Sequence, residues 1–155
     1  MNLRKTIFIS TNVFLFIVLL FTFKQSFAEG IVYSHAIVTT STGEEIPVEI
    51  ADTPKKRSLG LGKRTSLKKG WGMLFVFEKL KPYRFWMKDM QFPLDIIWLE
   101  NHRIVHIIHN AKPANPRDEP ELMTSPDPVN FVLEITAGRA AKLLLKTGQR
   151  MKIKF

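Results

Sequence analysis

The sequence predicts an α+β domain, mainly β: a compact curved sheet or small barrel of about seven strands with two short helices. Three observations lead there. Beyond residue 28 the chain breaks into short runs rich in aromatic and β-branched residues, each bounded by Gly, Pro, Asn or Lys turns. Only two stretches carry helix signals. The whole chain has 155 residues, 45% hydrophobic and 24% charged, which suits one folded domain and excludes both a disordered chain and a polytopic membrane protein. Absence of Cys excludes thiol catalysis, disulfides, thiolate zinc sites and iron–sulfur clusters.

The first 28 residues read as a leader rather than part of the domain. Arg4 and Lys5 form a positive start, and Val13–Phe21 is an unbroken apolar run. Ser26-Phe27-Ala28 offers small residues at −3 and −1 of a cleavage site before Glu29. This is the layout of a secretory signal peptide over 1–28, leaving 29–155 as a single domain. The alternative is an uncleaved N-terminal anchor. A spanning helix needs about 20 mostly apolar residues, and Ser10, Thr11 and Asn12 interrupt Thr6–Phe23. With the leader cleaved, no stable membrane span remains, and the protein is expected to be exported, periplasmic or extracellular.

Within the domain, Ile31–Thr40 and Glu45–Ala51 flank Ser41-Thr42-Gly43 and read as a hairpin. Thr53-Pro54 reads as an N-cap with Pro at the first helical position, opening a helix that ends at Gly60 or Gly62. Lys55, Lys56 and Arg57 in its first turn oppose the helix dipole, so another contact must favour them there. Met73–Phe77, Tyr83–Met87, Leu94–Leu99 and Arg103–Ile108 read as strands. A Pro-rich connection, Asn110–Asn130, follows, of a length that is often functional or mobile. Phe131–Thr136 resumes as a strand, Ala137–Leu145 suits a helix despite Gly138, and Met151–Phe155 suits a last strand.

These blocks carry a family resemblance. Val48-Glu49-Ile50-Ala51-Asp52-Thr53-Pro54 with Gly60-Leu61, then Gly72–Phe77, then Phe85-Trp86-Met87-Lys88-Asp89-Met90 with Pro93-Leu94-Asp95-Ile96, and finally Val132-Leu133-Glu134, Ala137-Gly138 and Gly148, resemble the domain of unknown function 192 family in order. Its hallmark is F-W-M-K-N-x-x-x-P-L-D. The resemblance spans Ile46–Phe155 and implies a compact β-rich fold with short helices, often behind a leader, but no established activity. The chain departs from the pattern in three ways. Asp89 stands where Asn is usual, Lys55-Lys56 replace an acidic pair, and the Cys that many members carry in the Pro-rich loop is missing. A metal or redox role resting on those cysteines cannot operate here.

Trp86, Lys88, Asp89 and Asp95 are the candidate ligand-binding residues. Asp95 sits inside an apolar strand, where a lone carboxylate is costly. Either it lines a pocket in which Trp86 is a stacking platform and the charges of Lys88 and Asp95 fix a polar ligand, or it serves structure, capping a turn through backbone hydrogen bonds or pairing with Lys88 while Trp86 and Met87 belong to the core. No metal site is expected. On a strand, His102 and His106 lie about 13 Å apart, His109 faces the other way, and the Met residues are ordinary core material. No cofactor is expected, since the chain lacks nucleotide-loop, zinc-protease and nucleophile-elbow motifs.

Lys55–Lys88 holds eleven of the chain's 23 Lys and Arg residues and a single acid, Glu78. Outside the cytoplasm such a stretch suits an anionic envelope lipid or glycan rather than nucleic acid, unless it is simply a solvated face. The partner is otherwise unknown. Two functions follow: an exported binding or accessory module of the cell envelope, or an envelope glycan hydrolase using Asp95 with a nearby His or carboxylate. Asp118, Glu119 and Glu121 supply further acids on the Pro-rich loop. Whether the protein is an enzyme stays open from sequence.

Overall fold

The computed structural model describes residues 30–115, 117 and 119–155. The expected leader, together with Pro116 and Asp118 of the Pro-rich loop, lies outside the described residues. Among the described residues no helix is long and apolar enough to cross a membrane. Val32–Phe155 forms one compact unit.

The opening hairpin is β1 (His35–Thr39) and β2 (Glu45–Ala51), antiparallel with Ala36 opposite Val48 and Val38 opposite Ile46. Its turn uses Gly43 at φ 89° and the Thr40 hydroxyl, which accepts from the Glu44 N–H at 3.0 Å. Helix α1 (Pro54–Leu59) follows, with the Thr53 hydroxyl accepting from the Lys56 N–H and Pro54 in the first turn. The chain then returns as β3 (Gly72–Lys81), parallel to β2. The remaining strands are β4 (Arg84–Phe85), β5 (Leu94–Glu100), β6 (Arg103–Ala111), β7 (Met123–Thr124), β8 (Val129–Thr136) and β9 (Lys152–Lys154). Helix α2 (Arg139–Lys142) lies between β8 and β9.

Seven strands form one curled, half-barrel sheet in the order β6-β5-β8-β3-β2-β1-β9, and β4 pairs with β7 in a small second sheet. The curl brings the two sheet edges together at one end. There the residues leading into β9 meet the start of β6: the Ile104 N–H donates to the Gln149 carbonyl at 2.9 Å, and the Met151 N–H to the His102 carbonyl at 2.8 Å. The mainly β class expected from sequence is the class observed.

Two expected elements are shorter than their sequence signals. Tyr83–Met87 reduces to the two residues of β4, whose partner β7 comes out of the Pro-rich connection. Ala137–Leu145 reduces to α2 because Gly138 at φ 79° starts it late and Leu144 at φ 54° stops it early. Both residues take left-handed backbone, which a helix cannot contain.

The centre of the sheet is buried on both faces. β5 and β8 therefore read as nearly continuous apolar runs, and their alternation divides two cores. Ile97, Leu99, Leu133 and Ile135 pack with Val38, Ile46, Val48 and Leu74 on one face, where Ala140 of α2 covers them. Ile96, Trp98 and Val132 pack with Met73, Phe75, Leu61 and Met87 on the other. Gly72 permits the close approach of β3 and β8, since a Cβ there would lie 2.8 Å from the Glu134 carbonyl oxygen.

Candidate functional site

A hollow of about 250 Å³ opens on the second face between α1 with its following loop and the segment Tyr83–Met90. Phe75, Phe77, Tyr83, Phe85 and Trp86 supply aromatic wall, and Glu134 contributes a carboxyl. The walls hold one another in place. Phe75 and Phe85 meet edge to face at 5.0 Å, and Phe77 stacks on Tyr83 at 3.6 Å. Trp86 stays 55% exposed at the mouth.

Arg57 shows why α1 tolerates cations against its dipole. Its Nη1 donates to the Asp52 carbonyl at 2.6 Å and the Val76 carbonyl at 2.9 Å, and its guanidinium lies 5.1 Å from the Phe77 ring centre. The side chain thus ties α1 to β3 along one wall of the cleft. Lys56 pairs with Asp52 at 2.9 Å, and that bond holds the Asp52 carboxyl below its ordinary range. Helix α1 ends at Gly60, with φ 50° and ψ −133°, a region that strongly favours glycine. A Cβ there would come within 3.2 Å of the Phe75 ring, so the loop lies directly on the aromatic wall.

Glu134 is 5% exposed. Its register partners are Met73 on β3 and Ile96 on β5, and the alternation of the strands puts all three on the cleft face. Among the described residues its carboxyl has no hydrogen-bond or ion-pair partner. Burial pushes it up to about 8, because the charged form loses hydration without gaining a counter-charge. At neutral pH it is mostly a neutral acid.

The four candidates from sequence separate. Trp86 and Lys88 line the cleft. Asp89 does not; it borders a neighbouring hollow with Asn115 and Glu119. Its role here is conformational, with φ at 58° and a carbonyl that accepts from the Lys63 N–H at 2.8 Å. Asn and Asp are the non-glycine residues that best tolerate this left-handed backbone, so the exchange of Asn for Asp keeps the turn.

Asp95 lies on the opposite face, fully buried. One carboxylate oxygen accepts from the Asn110 N–H at 2.9 Å and the other from the Ala140 N–H at 2.8 Å. Lys88 is not its partner, contrary to the pairing expected from sequence, because Lys88 faces the cleft on the other side of the sheet. His109 Nδ1 is 4.0 Å away, beyond hydrogen-bond reach. Asp95 thus joins β5, β6 and α2.

Sequence reading missed Glu134, Arg57, Arg84 and the aromatic wall as parts of one site. The signal for Glu134 was available: it interrupts the apolar run Val132–Ile135 just as Asp95 interrupts Leu94–Leu99. Among the described residues no group of three or more His, Cys, Asp or Glu is spaced to hold a metal ion.

The basic stretch has many local partners. Arg64 pairs with Glu49 at 2.6 Å, Lys68 lies 4.0 Å from the Trp71 ring centre, and Lys81 lies 5.0 Å from that of Tyr83. With Lys56 and Arg57 already engaged, part of the run serves the fold rather than an open cationic face.

Comparison with known proteins gives a consistent picture. The crystal structure of "a putative transcription regulator" from Sinorhizobium meliloti 1021 is 31% identical with a TM-score of 0.70, over 79% of this chain and 95% of that one. A protein of unknown function from Novosphingobium aromaticivorans DSM 12444 is 31% identical with a TM-score of 0.69, over 80% and 87%. None of the curated proteins compared matches the chain. The family profile described as DUF192, Uncharacterized ACR, COG1430, matches residues 36–153. With that match lying over the sheet and both of its cores, the chain belongs to the domain of unknown function 192 family.

Proposed function

We propose that the protein is an exported binding or accessory module of the cell envelope, and that its ligand enters the aromatic cleft beside α1. The observation that carries this reading is the cleft itself: concave, walled by aromatic rings, with a small set of charged side chains among them and one large exposed aromatic, Trp86, at its mouth. That is the usual make-up of a small-molecule site. The leader motif at residues 1–28 supports an extracytoplasmic setting. A glycan hydrolase built on Asp95 draws no support from the geometry. Both Asp95 oxygens are occupied by backbone N–H groups, and the carboxylate has no access to solvent.

The test is capture of envelope fractions by the full chain, compared with Trp86→Ala and Lys88→Ala. Loss of capture in the Trp86 variant, with an unchanged melting temperature, is the expected result. Capture that survives both changes would move the ligand elsewhere. Salt-sensitive binding of duplex DNA that ignores Trp86 would instead favour the activity named for the Sinorhizobium protein.

A further inference from the structure

The polarity of the cleft specifies more than a generic ligand. Glu134 lies at a position where both register neighbours, Met73 and Ile96, are apolar, and no cation among the described residues reaches it, although three line the same hollow. Arg57, Arg84 and Lys88 are in the cleft wall, yet among the described residues none forms an ion pair with Glu134. The cleft therefore keeps a group able to be negative apart from a cationic border. A neutral hydrogen-bonding role at this position could be filled by Gln without the cost of a buried acid. What a carboxyl adds is the capacity to hold charge against a cation.

Simple ions fit this arrangement poorly. An anion meets Arg84 and Lys88 but leaves Glu134 without a partner. A cation meets Glu134 but must sit near three positive side chains. A molecule carrying both charges answers both ends. Aromatic walls add attraction for an ammonium group through the negative faces of their rings. A volume of about 250 Å³ lies just under the usual range for drug-sized ligands and suits a head group.

Resting on the binding-module reading above, we infer that the cleft takes a small zwitterion, its ammonium end on the Glu134 carboxylate and its phosphate or carboxylate end at Arg84 and Lys88. The proton balance follows from the chemistry. Glu134 is protonated before binding, the ammonium replaces that proton, and the proton leaves to solvent. Binding therefore releases up to one proton per ligand below about pH 8, the value to which burial raises the free carboxyl.

The experiment is calorimetry on the full chain with phosphocholine, whose quaternary ammonium does not titrate, from pH 6.5 to 9 in buffers of different ionisation enthalpy. The expected result is release of nearly one proton at pH 7 and an affinity that rises about tenfold per pH unit until about pH 8, then levels. Choline alone and inorganic phosphate alone should bind at least tenfold more weakly. Glu134→Gln should lose at least tenfold in affinity together with the pH dependence, and circular dichroism checks that this variant is folded. The wild-type proton count is a second test that needs no variant.

Binding of phosphocholine without proton release, or affinity that falls above pH 8, would overturn the inference, the latter because it marks a neutral Glu134 donating a hydrogen bond. Failure of phosphocholine and O-phosphoethanolamine to bind would also overturn it. If envelope capture still depended on Trp86 in that case, the binding-module reading would stand without the zwitterion. Vesicles containing phosphatidylethanolamine, set against vesicles of phosphatidylglycerol, distinguish a lipid source from the free head group.

Discussion

Two carboxyl groups lie one register row apart on neighbouring strands of this sheet, and they have opposite fates. Asp95 on β5 stands opposite Ile135, and Glu134 on β8 stands opposite Ile96. Because side chains alternate along a strand, Asp95 points into the core beneath α2 and Glu134 into the core beneath α1. Both are buried. Asp95 receives two backbone N–H donors from separate elements; Glu134 receives none among the described residues and opens on a cleft. Burial alone therefore does not identify a functional acid. The donors around it do, since they decide whether the charge is already used by the fold.

The largest test of this contrast is removal of Asp95. Asp95→Ala leaves two buried N–H groups without an acceptor and should cost about 3–5 kcal/mol, read as a lower urea midpoint at unchanged slope. Asp95→Asn keeps only one good acceptor and should cost about half as much. A cost near zero would mean that Asp95 is not the joint between β5, β6 and α2.

Glu134 should behave in the opposite sense. Its folded form holds a proton up to about pH 8, whereas the unfolded form releases it near 4.5. Between those values the folded state binds more protons, so stability falls as pH rises and levels above about pH 8. The loss from pH 4.5 to 7 amounts to about 3 kcal/mol for this group. Glu134→Gln should remove that slope and raise stability at pH 7 by about 1–3 kcal/mol. Urea midpoints of both proteins across this range decide the matter, and a variant less stable than wild type would mean that Glu134 has a partner in the fold.

The junction between α1 and the cleft gives an effect of similar size. Gly60→Ala places a side chain at φ 50° and against the Phe75 ring, at about 1–3 kcal/mol, readable by thermal melting. The smallest effect belongs to Trp86. It is 55% exposed, so Trp86→Ala should change stability by less than about 0.5 kcal/mol while removing capture of envelope material. A large drop in melting temperature would make Trp86 part of the packing instead.

Much of this was legible in the chain. Thr53-Pro54 opened a helix and Gly60 closed it, because capping and positive φ are local properties. The hairpin around Gly43 and the strand cores followed from alternation and turn residues for the same reason. The need of Asp95 for a partner could be read from its apolar flanks, but not the partner's identity. Sequence proximity suggested Lys88, seven residues away. The donors are Asn110 and Ala140, and only the pairing of β5 with β6 and the landing of α2 bring them there.

By itself, then, the amino-acid order determined the mainly β class, the absence of thiol chemistry and the family blocks, all of which rest on residues close together in the chain. Tertiary structure decided which face of the sheet each acid enters, which cations the fold consumes, and that residues from Arg57 to Glu134 share one hollow. Those outcomes depend on strand order and register, and a register is set by contacts between segments far apart in sequence.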